Sequence, residues 1–306
     1  MGGDFAPDTT VNGAVLAQQQ LTDDVRIVLI GDKEKILPLL KKNNASPDKF
    51  DIVHCTQVIG MSEQPLKAVS QKSDSSIAVG FKMLKNKEID GFAGNGNTGA
   101  MMVGALYSVK AIEGVIRPCL ASLVPKEDGS YGTLLDVGSN ADCRPEVLCQ
   151  FAVLGQIYSR AIYDIPDPKV GLLNIGEEEE KGNLVALAAH QLLKEMKNIN
   201  FIGNIEGRDI FSNKVDVIVC EGFVGNVVLK EAEAFYELFK KRNKSDEYFD
   251  RFNYELYGGL PLLGINAAVI AGHGISTAAA TCKMILATHN MVKTRVAEKI
   301  QKAFNP

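Results

Sequence analysis

The chain has 306 residues, of which 46% are hydrophobic and 23% are charged. A chain of this length buries roughly 75% of the surface that it exposes when unfolded, so intrinsic disorder is excluded as its main state. The formal net charge of −4, from 33 basic and 37 acidic residues, argues against a nucleic-acid binder that works through bulk electrostatics. Any anionic ligand must therefore be met by a local basic group.

The six cysteines form no C-x-x-C pair, and none stands beside a histidine at metal-ligand spacing. This pattern predicts reduced thiols and no metal site. No apolar run approaches the roughly 18 residues of a membrane-spanning helix, and the start of the chain lacks the basic-then-apolar order of a signal peptide. We therefore expect a cytoplasmic protein.

Most of the chain repeats one pattern: a short β-branched run, a loop rich in Gly, Asn and Ser, and an amphipathic helical stretch. In chain order, the predicted strands are residues 25–30, 90–93, 134–137, 170–175, 215–220 and 267–271. Helices are predicted over residues 100–112, with Gly114 at the C-cap, and from Pro145 onward. Strands that are apolar on both faces and alternate with helices indicate an open α/β sandwich with a mostly parallel sheet.

No linker or low-complexity tract divides the chain, which predicts a single domain over residues 1–306 or two intertwined lobes. The composition changes at residues 239–257, where basic residues are followed by aromatic ones. We predict a protruding helical hairpin over about residues 231–258, with a polar tip at residues 242–247.

Ligands of parallel α/β sheets bind at the carboxyl ends of the strands, where helix N-termini present unpaired N–H groups. Several strand ends in this chain lead into loops rich in Gly and Asn. Glycine lets the backbone approach a ligand closely, and the N–H groups favour an anion. We therefore expect these loops to converge on one phosphate or carboxylate site. The alternative is that Gly and Asn serve only tight turns.

One of these loops carries Gly94, Gly96 and Gly99, which match the G-x-G-x-x-G spacing of dinucleotide sites between a strand and a helix. The acidic residue that such a site needs after the next strand is not evident, because that strand, residues 119–124, ends in Pro125. The sequence therefore favours a simple anion cradle at this loop over a nucleotide site.

Two titratable side chains stand in such loops. Lys181 follows four glutamates, a context that can hold it in place, and its compact ammonium suits a phosphate. The alternative is a solvated surface lysine. His273 lies between two glycines at a strand end, where an imidazole can donate to an oxyanion or move a proton. The alternative is a turn histidine without a chemical role.

A set of segments resembles, in order along nearly the whole chain, the bacterial phosphate acyltransferase (PlsX) family. They are residues 1–7 (MGGDFAP), 72–76 (KSDSS), 96–100 (GNTGA), 135–140 (LDVGSN), 173–176 and 181–183 (LNIG and KGN), 222–226 (GFVGN) and 272–274 (GHG). Each motif is modest, but the ordered set is specific. Residues 94 and 95 depart from the small Ser-Ala-like pair of the family, which also places a strand ahead of the Gly2-Gly3-Asp4 turn.

The resemblance implies a homodimeric three-layer α/β/α sandwich related to the isocitrate and isopropylmalate dehydrogenases and to phosphotransacetylases. It also implies a reaction in which acyl-[acyl carrier protein] and inorganic phosphate give acyl phosphate and free carrier protein, without a cofactor. In the family, the acyl phosphate feeds a membrane glycerol-3-phosphate acyltransferase in phospholipid biosynthesis.

Inorganic phosphate is already an anionic nucleophile at pH 7, so this reaction needs positioning and oxyanion stabilisation rather than a covalent enzyme nucleophile. With this resemblance, Lys181 and Asn226 are assigned to the phosphate or the developing oxyanion, and His273 to an oxyanion donor or proton shuttle. The predicted phosphate cradle comprises Gly96, Asn97, Thr98, Gly99 and Gly225, beside Lys181 and Asn226.

The basic residues of the hairpin can steer an acidic carrier protein to the site. They are Lys240, Lys241, Arg242 and Lys244. The alternative is a solvated helix end where cations are favourable. Some family members reach the membrane through apolar residues at the hairpin tip, whereas this tip is polar. A cytoplasmic location is therefore predicted, with peripheral contact at the inner membrane face as the alternative.

Three other functions compete with this one. An NAD-dependent decarboxylating dehydrogenase needs clustered metal-binding aspartates and substrate-binding arginines, which the sequence does not assemble. A phosphotransacetylase that uses acyl-CoA shares the chemistry and differs in the carrier. A non-catalytic module that binds acyl ligands or the carrier protein is the third alternative.

Overall fold

The computed structural model of the protein describes residues 2–305. Contacts within the chain divide it into two compact units. The first unit comprises the residues up to Lys110 together with Tyr254–Lys293. The second comprises Ala111–Asn253 together with the residues from Thr294 onward. Each unit is thus assembled from two separate stretches of the sequence.

Helices and strands alternate over most of the chain. The helices are α1 (Asp8–Gln18), α2 (Lys33–Lys42), α3 (Pro65–Gln71), α4 (Ser76–Lys85), α5 (Thr98–Ser108), α6 (Pro145–Ile162), α7 (Leu184–Glu195), α8 (Gly222–Lys241), α9 (Glu247–Asp250), α10 (Ala278–Lys293) and α11 (Val296–Phe304). The strands are β1 (Ile27–Gly31), β2 (Phe50–His54), β3 (Gly91–Gly94), β4 (Cys119–Pro125), β5 (Tyr131–Leu135), β6 (Lys169–Leu173), β7 (Asn200–Ile205), β8 (Val217–Val219), β9 (Leu260–Leu263) and β10 (Ala268–Ala271). The predicted α/β class is confirmed.

In the first unit, two sets of strands are covered by helices. β1 and β2 pair in parallel, with Ile27 opposite Phe50. β10 pairs in parallel with β3 and in the antiparallel sense with β9. Helix α1 packs on α10 at Gly13, where a Cβ would lie 2.4 Å from Thr281 Cβ. Glycine at this position allows the close approach of the two helices.

In the second unit, the sheet runs in the order β4, β5, β8, β6, β7. β4 and β5 are antiparallel, whereas β5, β8, β6 and β7 pair in parallel. β8 is buried along its whole length, as expected for a strand covered on both faces. Helix α6 lies on the sheet at Gly155, where a Cβ would lie 2.5 Å from Val217 Cγ1. The prediction of a mostly parallel sheet is confirmed.

The structure corrects the end of one predicted helix and the direction of one strand. Helix α5 ends at Ser108 rather than at residue 112, because Lys110 takes the left-handed conformation (φ 65°) that terminates helices. Gly114 therefore lies beyond the helix and is not its C-cap. The strand predicted at residues 134–137 corresponds to β5, which begins earlier, at Tyr131, and ends at Leu135, and its neighbour β4 runs antiparallel to it.

The predicted helical hairpin has unequal arms. Its first arm is the long helix α8, and its return is α9, a single helical turn. The rings of Phe239 and Phe249 lie 4.7 Å apart between the arms. Arg251 donates to the carbonyl oxygens of Lys126 and Ser130, so the return segment is attached to the turn between β4 and β5. Phe239 and Phe249 thus pack between the two arms, whereas Phe252 packs on Phe211 outside the hairpin.

Candidate active site

Three loops of the second unit start side by side at the carboxyl edge of its sheet. Leu135 of β5 and Leu172 of β6 both pair with Val219 of β8, and the three strands run parallel. Their carboxyl ends therefore lie next to one another. The segments that follow are the loops at residues 136–140 and 174–183 and the start of α8 at residues 221–226. This register places Lys181 and Asn226 at the same edge of one sheet.

The backbone at Lys181 is fixed, while its side chain is exposed. Asn174 Nδ2 donates to Lys181 O over 3.0 Å, and Asn174 Oδ1 accepts from Ile175 N over 2.8 Å. Gly182 follows with φ 105°, and a Cβ there would lie 2.5 Å from Asn174 Oδ1. Asparagine and glycine thus build the turn that presents the ammonium.

The glutamates before Lys181 bind other lysines. Glu177 pairs with Lys214 and Glu179 with Lys194, each at 2.7 Å. The hydrogen bond with Glu177 raises the pKa of Lys214, and the hydrogen bond from Lys194 lowers the pKa of Glu179. Within residues 2–305, Lys181 makes no ion pair and no side-chain hydrogen bond. Among the glutamates, Glu178 holds the backbone of Lys181, because Glu178 O accepts from Lys181 N over 3.1 Å. No glutamate side chain pairs with the Lys181 ammonium in the described residues, and the ammonium is available to an anion.

Asn226 is the fifth residue of α8, whose N-terminus packs against the loop after β5. A Cβ on Gly225 would lie 1.9 Å from Asp136 O, and a Cβ on Gly222 would lie 2.7 Å from Asp136 Oδ2. The two glycines allow this contact, and the side chain of Asn226 stays exposed. Its amide can donate to an anionic oxygen through Nδ2.

The predicted part of Gly225 in a phosphate cradle needs correction. Its N–H group donates to Glu221 O within the helix over 3.1 Å. Glu221 also caps this helix, because its Oε1 accepts from Val224 N over 3.0 Å. A carboxylate already occupies the helix N-terminus, which disfavours a second anion on the same N–H groups. The side chains of Lys181 and Asn226 remain available to an anion at this edge.

The Gly-rich loop of the first unit is closed by Asn97. Asn97 Oδ1 accepts from Ala100 N over 3.0 Å, and Nδ2 donates to carbonyl oxygens of the turn at residues 60–63 over 2.9–3.2 Å. The Asn97 side chain is buried and occupied, so it holds the loop in place rather than binding an anion. The N–H groups of Thr98 and Gly99, in the first turn of α5, have no partner inside the helix.

His273 lies at the same strand edge as this Gly-rich loop. Ala271 pairs with Gly94, and Gly272 N donates to Gly94 O over 2.9 Å, so the ends of β10 and β3 are neighbours. The imidazole is half-buried, and its ring lies 5.2 Å from that of Tyr254. The structure therefore brings the candidates together in two groups, one in each unit.

The cysteines around the second group are poor nucleophiles. Burial, followed by the charge of Asp136, raises the pKa of the Cys143 thiol to about 12. Burial also raises the pKa of Cys119 and Cys220 well above the usual range. A thiol attacks only as the thiolate, so these groups are inert near neutral pH. Among residues 2–305, no cluster of three or more His, Cys, Asp or Glu side chains could hold a metal ion.

The basic residues of the hairpin lie at the end of α8 and in the tip that follows, and all are exposed. This basic cluster comprises Lys240, Lys241, Arg242 and Lys244. Lys240 Nζ lies 5.3 Å from the centroid of the Tyr236 ring. Cations at a helix C-terminus interact favourably with the helix dipole. The geometry fits both carrier-protein docking and a solvated helix end.

A cavity of about 520 Å³ in the first unit lies apart from the charged candidates. It is lined by residues 27–30 of β1, residues 91–94 of β3 and side chains of α10, and Gly96 is the one predicted site residue on its wall. In the described part of the chain, no helix has the length and apolar character needed to cross a bilayer.

The sequence analysis gave no separate role to Asp136. In the structure, Asp136 contacts both the loop after β5 and the start of α8. The signal available in the sequence was the order Asp136, Gly138, Ser139, Asn140 at a strand end. Ser and Asn after an Asp favour turns closed by side-chain hydrogen bonds. That signal predicts a turn, but it does not show that α8 begins against it.

Comparison with solved structures places the fold in a class that includes phosphotransacetylases. A phosphotransacetylase from Streptococcus pyogenes matches with a TM-score of 0.70 at 17% identity, over 94% of this chain and 92% of that one. A 4-hydroxythreonine-4-phosphate dehydrogenase from Klebsiella pneumoniae matches with a TM-score of 0.55 at 11% identity, over 93% of each chain. At these identities the likeness concerns the fold.

Sequence relatives define the family. The profile of the family described as "Fatty acid synthesis protein" matches residues 1–299. Phosphate acyltransferases from Dictyoglomus turgidum and Pelotomaculum thermopropionicum are 40% and 42% identical, over 100% and 99% of this chain and 96% and 93% of their own lengths. The chain belongs to the phosphate acyltransferase family and is an enzyme of that class, as the resemblance of its motifs predicts.

Proposed function

We propose that the protein transfers the acyl group of an acyl-[acyl carrier protein] to inorganic phosphate and releases acyl phosphate and free carrier protein. The observation that carries the proposal is the placement of Lys181 and Asn226 after the neighbouring strands β6 and β8, at one sheet edge. Lys181 offers a cation without an ion pair in residues 2–305, and Asn226 offers an exposed donor. Together these groups suit a phosphate oxyanion.

The reaction requires no covalent enzyme intermediate. A phosphate oxygen attacks the thioester carbonyl carbon, and the carbonyl electron pair moves onto its oxygen. The tetrahedral intermediate then collapses, the C–S bond breaks, and sulfur leaves as a thiolate that takes a proton from solvent. A simple thiol has a pKa near about 8.5, so its departure needs little acid catalysis.

In this mechanism Lys181 binds the phosphate and offsets its charge, and Asn226 Nδ2 donates to the phosphate or to the developing oxyanion. Removal of one oriented oxyanion donor typically costs about 10²- to 10³-fold in kcat.

The group in the first unit is proposed as a further set of donors. The N–H groups of Thr98 and Gly99 suit an anion, and His273 donates to an oxyanion or moves a proton. Substitution His273→Gln keeps a donor but removes the titrating imidazole. An unchanged pH dependence of kcat in that variant would exclude the proton-shuttle role.

The test of the proposed function is thiol release from an acyl-carrier protein, measured with and without phosphate. We expect release only with phosphate, together with an acyl phosphate that hydroxylamine traps as a hydroxamate. A higher kcat/KM with acyl-CoA in the parallel assay would identify a phosphotransacetylase instead. Binding without phosphate-dependent release would identify a non-catalytic module.

Two further parts of the proposal concern partners. The exposed basic cluster docks the acidic carrier protein by charge complementarity. The large exposed apolar side chains of α8 pack against a second copy of the chain in a homodimer.

The proposed product sets the next step. Acyl phosphate is a mixed anhydride and therefore an activated acyl donor. We place the reaction in the cytoplasm, before a membrane glycerol-3-phosphate acyltransferase in phospholipid biosynthesis.

A further inference from the structure

Asp136 is a buried carboxylate enclosed by hydrogen-bond donors. Its Oδ1 accepts from Leu120 N, Ser139 N and Ser139 Oγ over 3.0, 3.2 and 2.6 Å. Its Oδ2 accepts from Asn140 N and Asn140 Nδ2 over 2.6 and 3.0 Å. An ionised carboxylate only accepts, and every one of these partners donates. No Lys or Arg pairs with Asp136 in residues 2–305, so hydrogen bonds alone offset the burial of its charge.

These hydrogen bonds fix the turn at residues 138–140 to the start of α8. Gly222 N donates to Asn140 O over 2.7 Å, and a Cβ on Gly225 would lie 1.9 Å from Asp136 O. The carboxylate also lies beside the start of α8, which Glu221 caps. The turn and the helix end therefore form one packed assembly around Asp136.

The same turn borders the side chain of Asn226. Gly138 has φ 122°, and a Cβ there would lie 3.4 Å from Asn226 Oδ1 and 3.5 Å from Asn226 Cβ. Gly138 thus lies beside the Asn226 side chain, and a shift of the turn changes the surroundings of the Asn226 amide. Because the N–H groups of Ser139 and Asn140 bind Asp136, the turn does not itself offer them to an anion.

We propose that Asp136 is a positioning residue that holds the Asn226 amide toward the phosphate or oxyanion through the 138–140 turn. The inference rests on the proposed function, because it takes Asn226 as the group that meets substrate. Substitution Asp136→Asn changes the side-chain volume little, but it points an amide donor at groups that are themselves donors. The turn must then rearrange, and Asn226 with it.

A double-mutant cycle with Asp136→Asn and Asn226→Ala tests this coupling. We expect Asp136→Asn to lower kcat/KM for phosphate by at least about 10-fold in the otherwise unchanged enzyme, and by less than about two-fold in the Asn226→Ala background. A merely structural role does not depend on Asn226. Equal losses in the two backgrounds, or no loss in the first, would therefore overturn the proposal.

Asp216→Asn is the matched control. Asp216 is also largely buried, accepts from Lys126 Nζ over 2.7 Å and from Lys169 N over 2.8 Å, and precedes β8 at the opposite edge of the same sheet. We expect this variant to lower Tm and to leave kcat/KM for phosphate unchanged in the folded enzyme. A loss of kcat/KM equal to that of Asp136→Asn would show that any buried acid of this sheet has the same effect, and would also overturn the proposal.

Two further measurements cover variants that fail. If Asp136→Asn does not fold, Ser139→Ala removes the 2.6 Å contact with Asp136 and the two 3.1 Å contacts that Ser139 Oγ accepts from Leu120 N and Asn140 Nδ2. We expect a loss of about three-fold that disappears in the Asn226→Ala background. If Asn226→Ala has no measurable turnover, the rise in Tm on adding inorganic phosphate is measured instead for the unchanged enzyme, the two single variants and the double variant. An unchanged enzyme without phosphate-dependent thiol release overturns the proposed function instead, while the phosphate-induced rise in Tm still tests the coupling.

Discussion

In Lys181, the backbone is held by its loop while the side chain is left for the proposed chemistry. Asn174 and Gly182 hold its backbone, and its ammonium binds nothing else in residues 2–305. Removal of the side chain therefore leaves no carboxylate unpaired. Substitution Lys181→Ala should lower kcat/KM for phosphate about 10- to 100-fold, within the range of a lost oxyanion contact, and should leave Tm nearly unchanged. Steady-state kinetics at varied phosphate measures the effect.

Lys194→Ala is the control for this substitution. Lys194 is another exposed lysine of the second unit, but it is already paired with Glu179. Exposed pairs of this kind contribute little to stability, so we expect normal kinetics and a normal Tm. If the two lysine variants shared one phosphate KM, Lys181 would not be a phosphate ligand.

For single residues, the position in the chain can be predicted from the sequence more readily than the side-chain contacts. The position of Lys181 in a strand-end loop follows from the alternation of strands and helices. The ion-pair partners of the glutamates before Lys181 cannot be predicted in this way, because Lys194 and Lys214 belong to other parts of the chain. The sequence does not reveal the hydrogen bonds of the Asn97 side chain for the same reason, since their acceptors lie in the turn at residues 60–63.

At the scale of elements, the start of α8 depends on two glycines that pack on Asp136. A Cβ on Gly225 would lie 1.9 Å from a backbone oxygen, which cannot move without shifting β5. Substitution Gly225→Ala should therefore lower the free energy of unfolding by at least about 3 kcal/mol, the upper part of the range for overpacking. Urea-induced unfolding monitored by circular dichroism measures this change.

Gly207→Ala is the matched control, because a Cβ there meets no atom within 4 Å. Its free energy of unfolding should stay within about 0.5 kcal/mol of the unchanged protein. An equally stable Gly225→Ala variant would show that α8 does not begin tightly against the β5 loop.

The hairpin is the second element with a measurable consequence. The basic cluster at the end of α8 is exposed, so reversing its charge should change folding little and, under the proposed function, should weaken the encounter with an acidic carrier protein. The double variant Lys240→Glu/Lys241→Glu should raise the KM for acyl-carrier protein about 10-fold at low salt, with a smaller effect at high salt. Kinetics at two ionic strengths measures both effects.

Lys41→Glu/Lys42→Glu is the control for charge reversal, because these lysines also end an exposed helix, α2 in the first unit. We expect its KM for acyl-carrier protein to match that of the unchanged enzyme. Equal changes in the two double variants would assign the effect to net charge rather than to docking at the hairpin.

The positions of most strands and helices along the chain could be predicted from the sequence, but which elements pair or pack together could not. Apolar runs that end in glycine-rich loops predicted β3, β6, β8 and β10 to within a few residues. The same periodicity does not encode direction, so the antiparallel pairing of β4 with β5 was missed. The hairpin was found by composition, but the reduction of its return arm to one turn depends on Arg251 and its carbonyl partners.

At the scale of the whole molecule, the chain forms two compact units without a linker that composition could mark. The first unit is interrupted after Lys110 and resumed at Tyr254, so its strands β3 and β10 come from distant parts of the sequence. Strands and helices alternate in the sequence both before and after Lys110 and Tyr254, so the pattern does not mark the place where one unit ends and the other begins. The division therefore becomes visible only through contacts.

The proposed homodimer is a property of the whole molecule that α8 can test. Phe235 and Leu238 lie three residues apart on this helix, and 61% and 51% of their surfaces are exposed. Large apolar side chains grouped on one helix face are typical of a protein interface. We expect the enzyme to sediment at twice the chain mass and Phe235→Asp/Leu238→Asp to sediment as a monomer. Leu192→Asp, at an exposed apolar residue of α7, should remain dimeric. A dimeric Phe235→Asp/Leu238→Asp variant would place the interface elsewhere, and a monomeric unchanged enzyme would contradict the homodimer itself.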